Sequence, residues 1–403
     1  MKDTLFNFVR LLRPRRLSAL AEQLLKDEAI GGKLILVAVV LALIAANTPI
    51  ASWYDGLLHT ELGVAIGSWS LSLDLSHWIS EGLMVFFFLV VGLELRRELV
   101  RGELRHKQTA ILPLAAAVGG MLVPALLFVM FNAGRETITG WAIPTATDIA
   151  LAVGVLALLG NRIPSSVRIF ILALAIVDDI LAIVVIAAFY STALNLTALV
   201  AVSVIALAVY LLGRRRLLPM WAFLVAGVVL WLLTLSSGIH PSIVGALLGL
   251  IAPMSSHKHP GDQIAEKTER AMIPFSTLVV VPLFAFASAG ISFDLGGVSS
   301  DTFVSLGGGI IAGLVVGKAL GVFGASWLMV KMNIARLPDQ ASWTHIVGVG
   351  SLAGIGFTVA LFVTDLALKT PELVTTAKLS IFVASAIAAA LGLFILSQAK
   401  VKR

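Results

Sequence analysis

Apolar residues along this chain gather into runs of roughly twenty, the length that crosses about 30 Å of hydrocarbon, with short polar segments between them. Twelve runs can be counted, near 31–48, 77–99, 109–131, 141–160, 165–190, 195–213, 218–236, 238–253, 272–291, 303–330, 343–368 and 374–397. Backbone groups in lipid must bond within their own segment, so runs of this length predict helices. A transmembrane barrel would show short alternating segments instead. Two stretches depart from the pattern. In the loop 49–76, Val64 and Ile66 precede Gly67-Ser68, and Trp69, Leu71 and Leu73 follow it. Alternation of period two around a Gly-Ser pair predicts a small outer β-hairpin over residues 62–75. A lone hairpin is marginal in water, and its open edge suits pairing with a second copy, so a homodimer through the hairpin is expected. Near the N-terminus, Phe6, Phe8, Val9, Leu12, Leu17 and Leu20 are interspersed with arginines. That stretch reads either as a helix lying on the inner leaflet or as a basic topology anchor, and it lacks the apolar core of a signal peptide. The expected fold is an all-α polytopic membrane protein, with a basic segment at 1–29 and one transmembrane domain at 30–403.

Composition agrees. The chain is 59% hydrophobic and 13% charged, whereas soluble domains run at about half apolar and about a quarter charged. Cysteine is absent, which excludes disulfides and thiol chemistry. Seven histidines without HExxH-type spacing give no sign of a zinc site, and no cofactor is expected. The net charge of +6 would suit nucleic acid, but the placement of the 29 basic residues explains it otherwise. Only Arg135 and Lys369 fall in loops opposite the termini, and Lys33, Lys318 and Lys378 lie within or at the ends of spans. All the rest share the side of the termini. The positive-inside rule then makes both termini cytoplasmic, and the charge serves topology.

Ionisable groups inside spans call for a reason, because each costs about 2.5–3.5 kcal/mol at mid-bilayer on insertion scales. Asp178 and Asp179 stand side by side in LALAIVDDILAIVVIAAF. Neighbours on a helix diverge by about 100°, so the two cannot form one tight dyad. They can line adjoining walls of a water-filled cavity and hold protons or a cation. Hydrogen-bonded packing aspartates are the plain alternative. Asp148 lies in WAIPTATDIALAVG, where Pro144 predicts a broken helix with Thr145, Ala146 and Thr147 extended. Asp148 then begins the second half-helix and offsets its dipole; whether it also touches a transported ion stays open. Lys318, flanked by Gly317 and Gly321, needs a carboxylate partner or the carbonyl end of a broken helix. Gly354 and Gly356 predict a second break, in the eleventh span. The breaks fall in the middle members of two trios, spans 3–5 and 10–12. Interrupted helices in corresponding places mark the binding site of transporters built from inverted-topology repeats.

The motifs VGLELRREL (91–99), GWAIPTATDIA (140–150), LALAIVDDILAI (172–183), SSGIH (236–240), PLFAFASAG (282–290), GKALG (317–321) and GIGFT (354–358) together resemble the NhaA family of bacterial sodium/proton antiporters. The resemblance runs from about Gly31 to the C-terminus. It implies two broken helices that cross, an electrogenic exchange of Na+ or Li+ for H+ across the inner membrane, and a role in sodium and pH homeostasis. By resemblance Asp178 and Asp179 bind the ion, while Asp148 and Lys318 compensate the half-helix dipoles. Lys318 can also pair with Asp178, and Thr147 is a further oxygen ligand of the kind a hard cation takes. The family's pH regulation maps onto Glu94 and Glu98, then Glu266, Lys267, Glu269 and Arg270, which otherwise read as a salt-bridged funnel rim. Arg270 stands where some members have histidine, and a guanidinium does not titrate near neutrality. Asp365 matches no family motif.

Two rivals remain at this level, and the transporter reading itself excludes an enzyme. A sodium-coupled symporter of an organic anion would use similar broken helices, although Lys318 is the only strongly buried cation in the sequence. An intramembrane aspartyl protease needs two opposed aspartates. Here the central pair is sequential, which leaves Asp148 opposite Asp179 as the remote possibility.

Overall fold

The computed structural model describes residues 30–66, 69–102, 105, 107–191, 195–215, 217–254, 264–292 and 300–399. The expected basic N-terminal segment and the Gly67-Ser68 turn lie outside the described residues. Helix α1 (Ile30–Ala46) bends by 115° into α2 (Ala51–Leu58). Asn47 and Tyr54 pin that corner, donating to Ile291 O at 2.7 Å and Phe286 O at 2.5 Å. Strands β1 (Glu61–Ile66) and β2 (Trp69–Asp74) pair antiparallel, with Glu61 opposite Asp74 and Ile66 opposite Trp69. The hairpin thus forms where alternation predicts it. Asp74 caps the helix that follows, accepting from the His77 N–H at 2.7 Å. Burial pushes the Asp74 carboxyl up, but the His77 N–H and ring outweigh it and hold the group below the usual aspartate range.

Next come α3 (Leu75–Val100), α4 (Lys107–Asn132), a 3-10 segment (Glu136–Thr145), α5 (Ile149–Ala157) and α6 (Ser165–Phe189). They are followed by α7 (Leu196–Arg214), α8 (Met220–Leu235), α9 (Ser242–Ile251) and α10 (Ile264–Ser288). The chain closes with α11 (Ser300–Lys331), α12 (Trp343–Ala353), α13 (Phe357–Ala367) and α14 (Pro371–Gln398). Among the described residues, seven helices are long and apolar enough to cross a membrane, or up to ten if each bent pair is one span. Helices α8 and α9 are apolar but shorter.

The surface is strongly apolar, and the interior packs apolar side chains around a smaller set of buried polar groups. On α7 the exposed residues Leu196, Val200, Val204, Leu207 and Leu211 recur every three or four positions, one continuous face for lipid. Buried polar groups, Asp148, Asp178, Asp179, Lys318 and Thr358 among them, sit between the helices. The helices approach closely where glycine removes the side chain. A Cβ on Gly119 would strike the Gly321 carbonyl, and one on Gly92 the Ala246 carbonyl.

Both expected breaks are present. The 3-10 segment meets α5 at 42°, and α12 meets α13 at 46°. The first break differs in detail. Pro144 lies inside the 3-10 segment and Thr145 ends it, so the chain is extended only from Ala146 to Asp148. Proline already has a helical φ and forfeits a single bond. The Thr145 hydroxyl adds one, donating to Ala142 O at 2.7 Å, and the turn survives past the proline. At the second break Gly354 has φ −71° and Gly356 φ −83°. These glycines therefore serve closeness and not a left-handed turn, since a Cβ on Gly354 would meet the Leu314 carbonyl. The sequence pattern did not predict four π turns: Trp78–Leu83, Ser276–Val280, Phe303–Gly307 and Ala312–Gly317.

Candidate functional site

The two breaks bond to each other. A helix end leaves backbone donors or acceptors without an intrahelical partner, and here each break supplies the other's. The Asp148 N–H donates to Ile355 O at 2.6 Å, and the Thr147 hydroxyl donates to Ala353 O at 2.8 Å. Ala353 ends α12, and Ile355 lies in the break that follows it. In the other direction, Asp148 Oδ1 accepts from the Leu151 N–H at 3.0 Å, in the first turn of α5. Its Oδ2 accepts from the Thr358 N–H at 3.1 Å and the Thr358 hydroxyl at 2.6 Å, in the first turn of α13. One carboxylate therefore faces the positive ends of two helices. Asp148, with its oxygens so engaged, is not poised as a protease partner for Asp179.

Asp178 and Asp179 lie on the unbroken helix α6, 3% and 2% exposed. Lys318, fully buried, donates from Nζ to Asp178 Oδ2 at 2.8 Å. The Thr147 side chain stands beside the same aspartate. Asp179 is different. Its Oδ2 is buried and has no hydrogen-bond partner among the described residues. Asp178, Glu94, Asp148 and Lys318 are all near enough for their charges to act on it. The structure thus directs Lys318 to Asp178, with Thr147 beside that aspartate and Asp179 next in the helix, while Asp148 is bonded into the two breaks.

The expected rim residues form a second group at the facing ends of α3 and α10. Arg97 pairs with Glu269, and Arg101 with Glu266 at 2.9 Å. Glu94 and Glu98 belong to the same end of α3, and Lys267 and Arg270 to the same end of α10. Asp365, without a motif in the sequence, pairs with Lys378 at 3.0 Å. His240 packs, its Nδ1 2.7 Å from Ser242 Oγ and its ring edge-on to Phe362. Sequence reasoning passed over Thr358, although a signal existed: it is the first polar side chain after the Gly354–Gly356 break. Arg97 and Arg101 were read only as topology charges, and nothing in sequence alone pairs them with residues of α10.

Asp178 and Asp179 are thus two buried carboxyls beside one ammonium, while the charge of Asp148 is met by two helix ends. These buried charges lie beside two helix breaks in a multi-pass helical membrane protein, the arrangement of an ion-coupled secondary transporter. Residues 22–396 match the sequence profile of the family described as Na+/H+ antiporter 1, and the chain belongs to that family. It is 43% identical over 384 residues to the Na(+)/H(+) antiporter NhaA of Bordetella parapertussis, covering 94% of this chain and 96% of that one. It is 43% identical over 394 residues to the namesake of Caulobacter vibrioides (97% and 93% covered). Similarity to Na(+)/H(+) antiporter NhaA 1 of Clostridium beijerinckii is 40% over 381 residues (94% and 95% covered). Among the described residues no group of three or more His, Asp or Glu side chains could hold a resident metal ion.

Proposed function

We propose that this protein exports Na+ or Li+ across the bacterial inner membrane in exchange for protons, using Asp178 and Asp179 as the shared binding site. The observation that carries the reading is the Lys318–Asp178 ion pair beside an Asp179 oxygen without a partner. In the cation-free state the ammonium balances Asp178. When alkaline cytoplasm removes the site's protons, sodium takes the place of the ammonium and draws on Asp178, Asp179 and the Thr147 oxygen, hard donors for a hard cation. One group of helices then rocks against the other to turn the site outward, and external protons displace the ion. Exchange of about two protons for one sodium moves net positive charge inward, so a membrane potential contributes about 2.3 kcal/mol per charge per 100 mV. Asp148 stays bonded between the breaks and keeps the crossing half-helices together.

The remaining architecture follows in the same reading. Seven long helices, three bent pairs and the two shorter apolar helices α8 and α9 make up twelve spans. An even number puts both termini on one side, cytoplasmic by the positive-inside rule. Spans 3–5 and 10–12 form the inverted repeats, and a second copy pairs with the hairpin edge. The ion-paired ends of α3 and α10, carrying Glu94, Glu98, Glu266, Lys267, Glu269 and Arg270, set the pH at which transport begins.

The test uses everted vesicles from a host without its own antiporters. Na+ or Li+ added after a respiratory proton gradient is established collapses the gradient in wild type, read with an acridine dye. Asp178→Asn and Asp179→Asn each abolish that response. A correctly inserted wild type with no cation response between pH 6.5 and 8.5, a window of about two units around neutrality, sinks the reading.

A further inference from the structure

One π turn in α11, Ala312–Gly317, ends immediately before Lys318. A π turn carries one residue more than the α-helix it interrupts, and such turns recur at functional sites. The extra residue sets the helix before it and the helix after it out of phase by about 100° and about 1.5 Å. Here the turn and the helix after it have separate tasks. Within the turn, a Cβ on Gly313 would sit 2.6 Å from the Pro144 Cβ, at the first break. The neighbouring Leu314 lies against the second break, its carbonyl where a Gly354 Cβ would stand and its Cδ2 2.9 Å from a Cβ on Gly356. After the turn, Lys318 reaches Asp178, and Gly321 meets the Gly119 backbone. In a continuous α-helix, residues 313 and 314 could not face both breaks while Lys318 faces α6 in this packing.

Resting on the antiporter reading above, we propose that the π turn Ala312–Gly317 is the positioning element that keeps Lys318 aimed at Asp178 in phase with both helix breaks, and that a change in its register lets the lysine leave. Sodium binding needs the ammonium to withdraw, and the turn can supply that movement without unpacking α11 from α4. The ionisable groups that face Lys318 and Asp179 across this space are Asp178, Asp148 and Glu94. The second π turn of the same helix, Phe303–Gly307, touches neither break residue through its one glycine, which packs on Ser380.

Deletion of Val316, a residue half exposed to lipid at 48%, removes the extra residue. Measured in the everted vesicles, the deletion raises the apparent KM for Na+ by about tenfold, while the response at saturating Na+ stays within about twofold. Inserting one glycine between Gly317 and Lys318 in that variant restores the residue count without a Cβ against the Pro124 backbone, and the KM with it. A side-chain role for Val316 would not be rescued this way. An unchanged KM, or a changed KM that the insertion fails to restore, overturns the proposal. If the deletion does not insert, hydrogen exchange on wild type decides: adding Na+ at alkaline pH alters amide exchange at 312–318 and leaves 303–307 unchanged. Identical exchange with and without Na+ at 312–318, or equal change at both turns, overturns it. A wild type that shows no Na+-dependent gradient collapse would instead remove the antiporter reading, so the two failures are distinct.

Discussion

Asp148 and Asp179 are buried to the same degree, each 2% exposed, yet their surroundings differ. Asp148 accepts three hydrogen bonds from two helix ends, and its burial is compensated by the fold itself. Asp179 keeps an oxygen without a partner among the described residues, next to a neighbour whose charge is met by the Lys318 side chain. A charge whose partners are backbone groups is fixed for as long as the helices stay in place. A charge whose partner is a long side chain, or absent, can be compensated by whatever arrives. The first arrangement builds a scaffold and the second a site, and only mutation separates their contributions.

The largest effect should come from Asp179→Asn. Transport falls below detection in vesicles, while thermal unfolding in detergent stays within about 0.5 kcal/mol of wild type or improves, because replacing a poorly paired buried charge is neutral or stabilising. A large loss of stability would assign Asp179 to the scaffold. Asp148→Ala does the opposite. It strips the caps from α5 and α13 and leaves buried N–H groups unpaired, at about 3 kcal/mol together, seen as a lowered unfolding midpoint. If the midpoint does not move, the comparison breaks. Thr358→Val removes one hydroxyl donor but keeps the backbone donor to Asp148, and about 1 kcal/mol is expected in the same measurement. Asp365→Asn, at a partly exposed outer pair, changes stability by less than about 1 kcal/mol and leaves sodium-dependent transport intact. Transport loss there would mean that the exchange site extends further outward than Asp178.

The sequence made the polar centre easy to find, because adjacent aspartates in an unbroken apolar run have no soluble explanation. Pro144 and the Gly354–Gly356 pair marked both interruptions, and alternation around Gly67-Ser68 marked the hairpin. Pairings across the chain were harder. Lys318 needed a carboxylate, and Asp178 and a helix end were equally good answers until α6 and α11 were seen side by side. Asp365 gained a meaning only with Lys378, since hydropathy does not say which faces of adjoining helices meet. The π turns left no trace in the hydropathy pattern at all. A π turn changes the phase of a helix, and which phase suits its neighbours is a property of the assembled bundle. Pro144 set the extended stretch one residue too early for a related reason: a local rule gave the bond the proline lacks, and a neighbouring hydroxyl made good part of it.

The mutual bonding of the breaks also has a consequence for how the protein is made. Asp148 and its partner Thr358 are 210 residues apart in the chain. At synthesis rates of about 5–20 residues per second, the first break waits about 10–40 s for the second to emerge. During that interval Asp148 Oδ1 has its own-helix partner, the Leu151 N–H, but Oδ2 and the Asp148 N–H lack the partners they find at the second break. The first break must therefore find water, lipid headgroups or the insertion machinery as partners until the second arrives, and the two breaks become folded together.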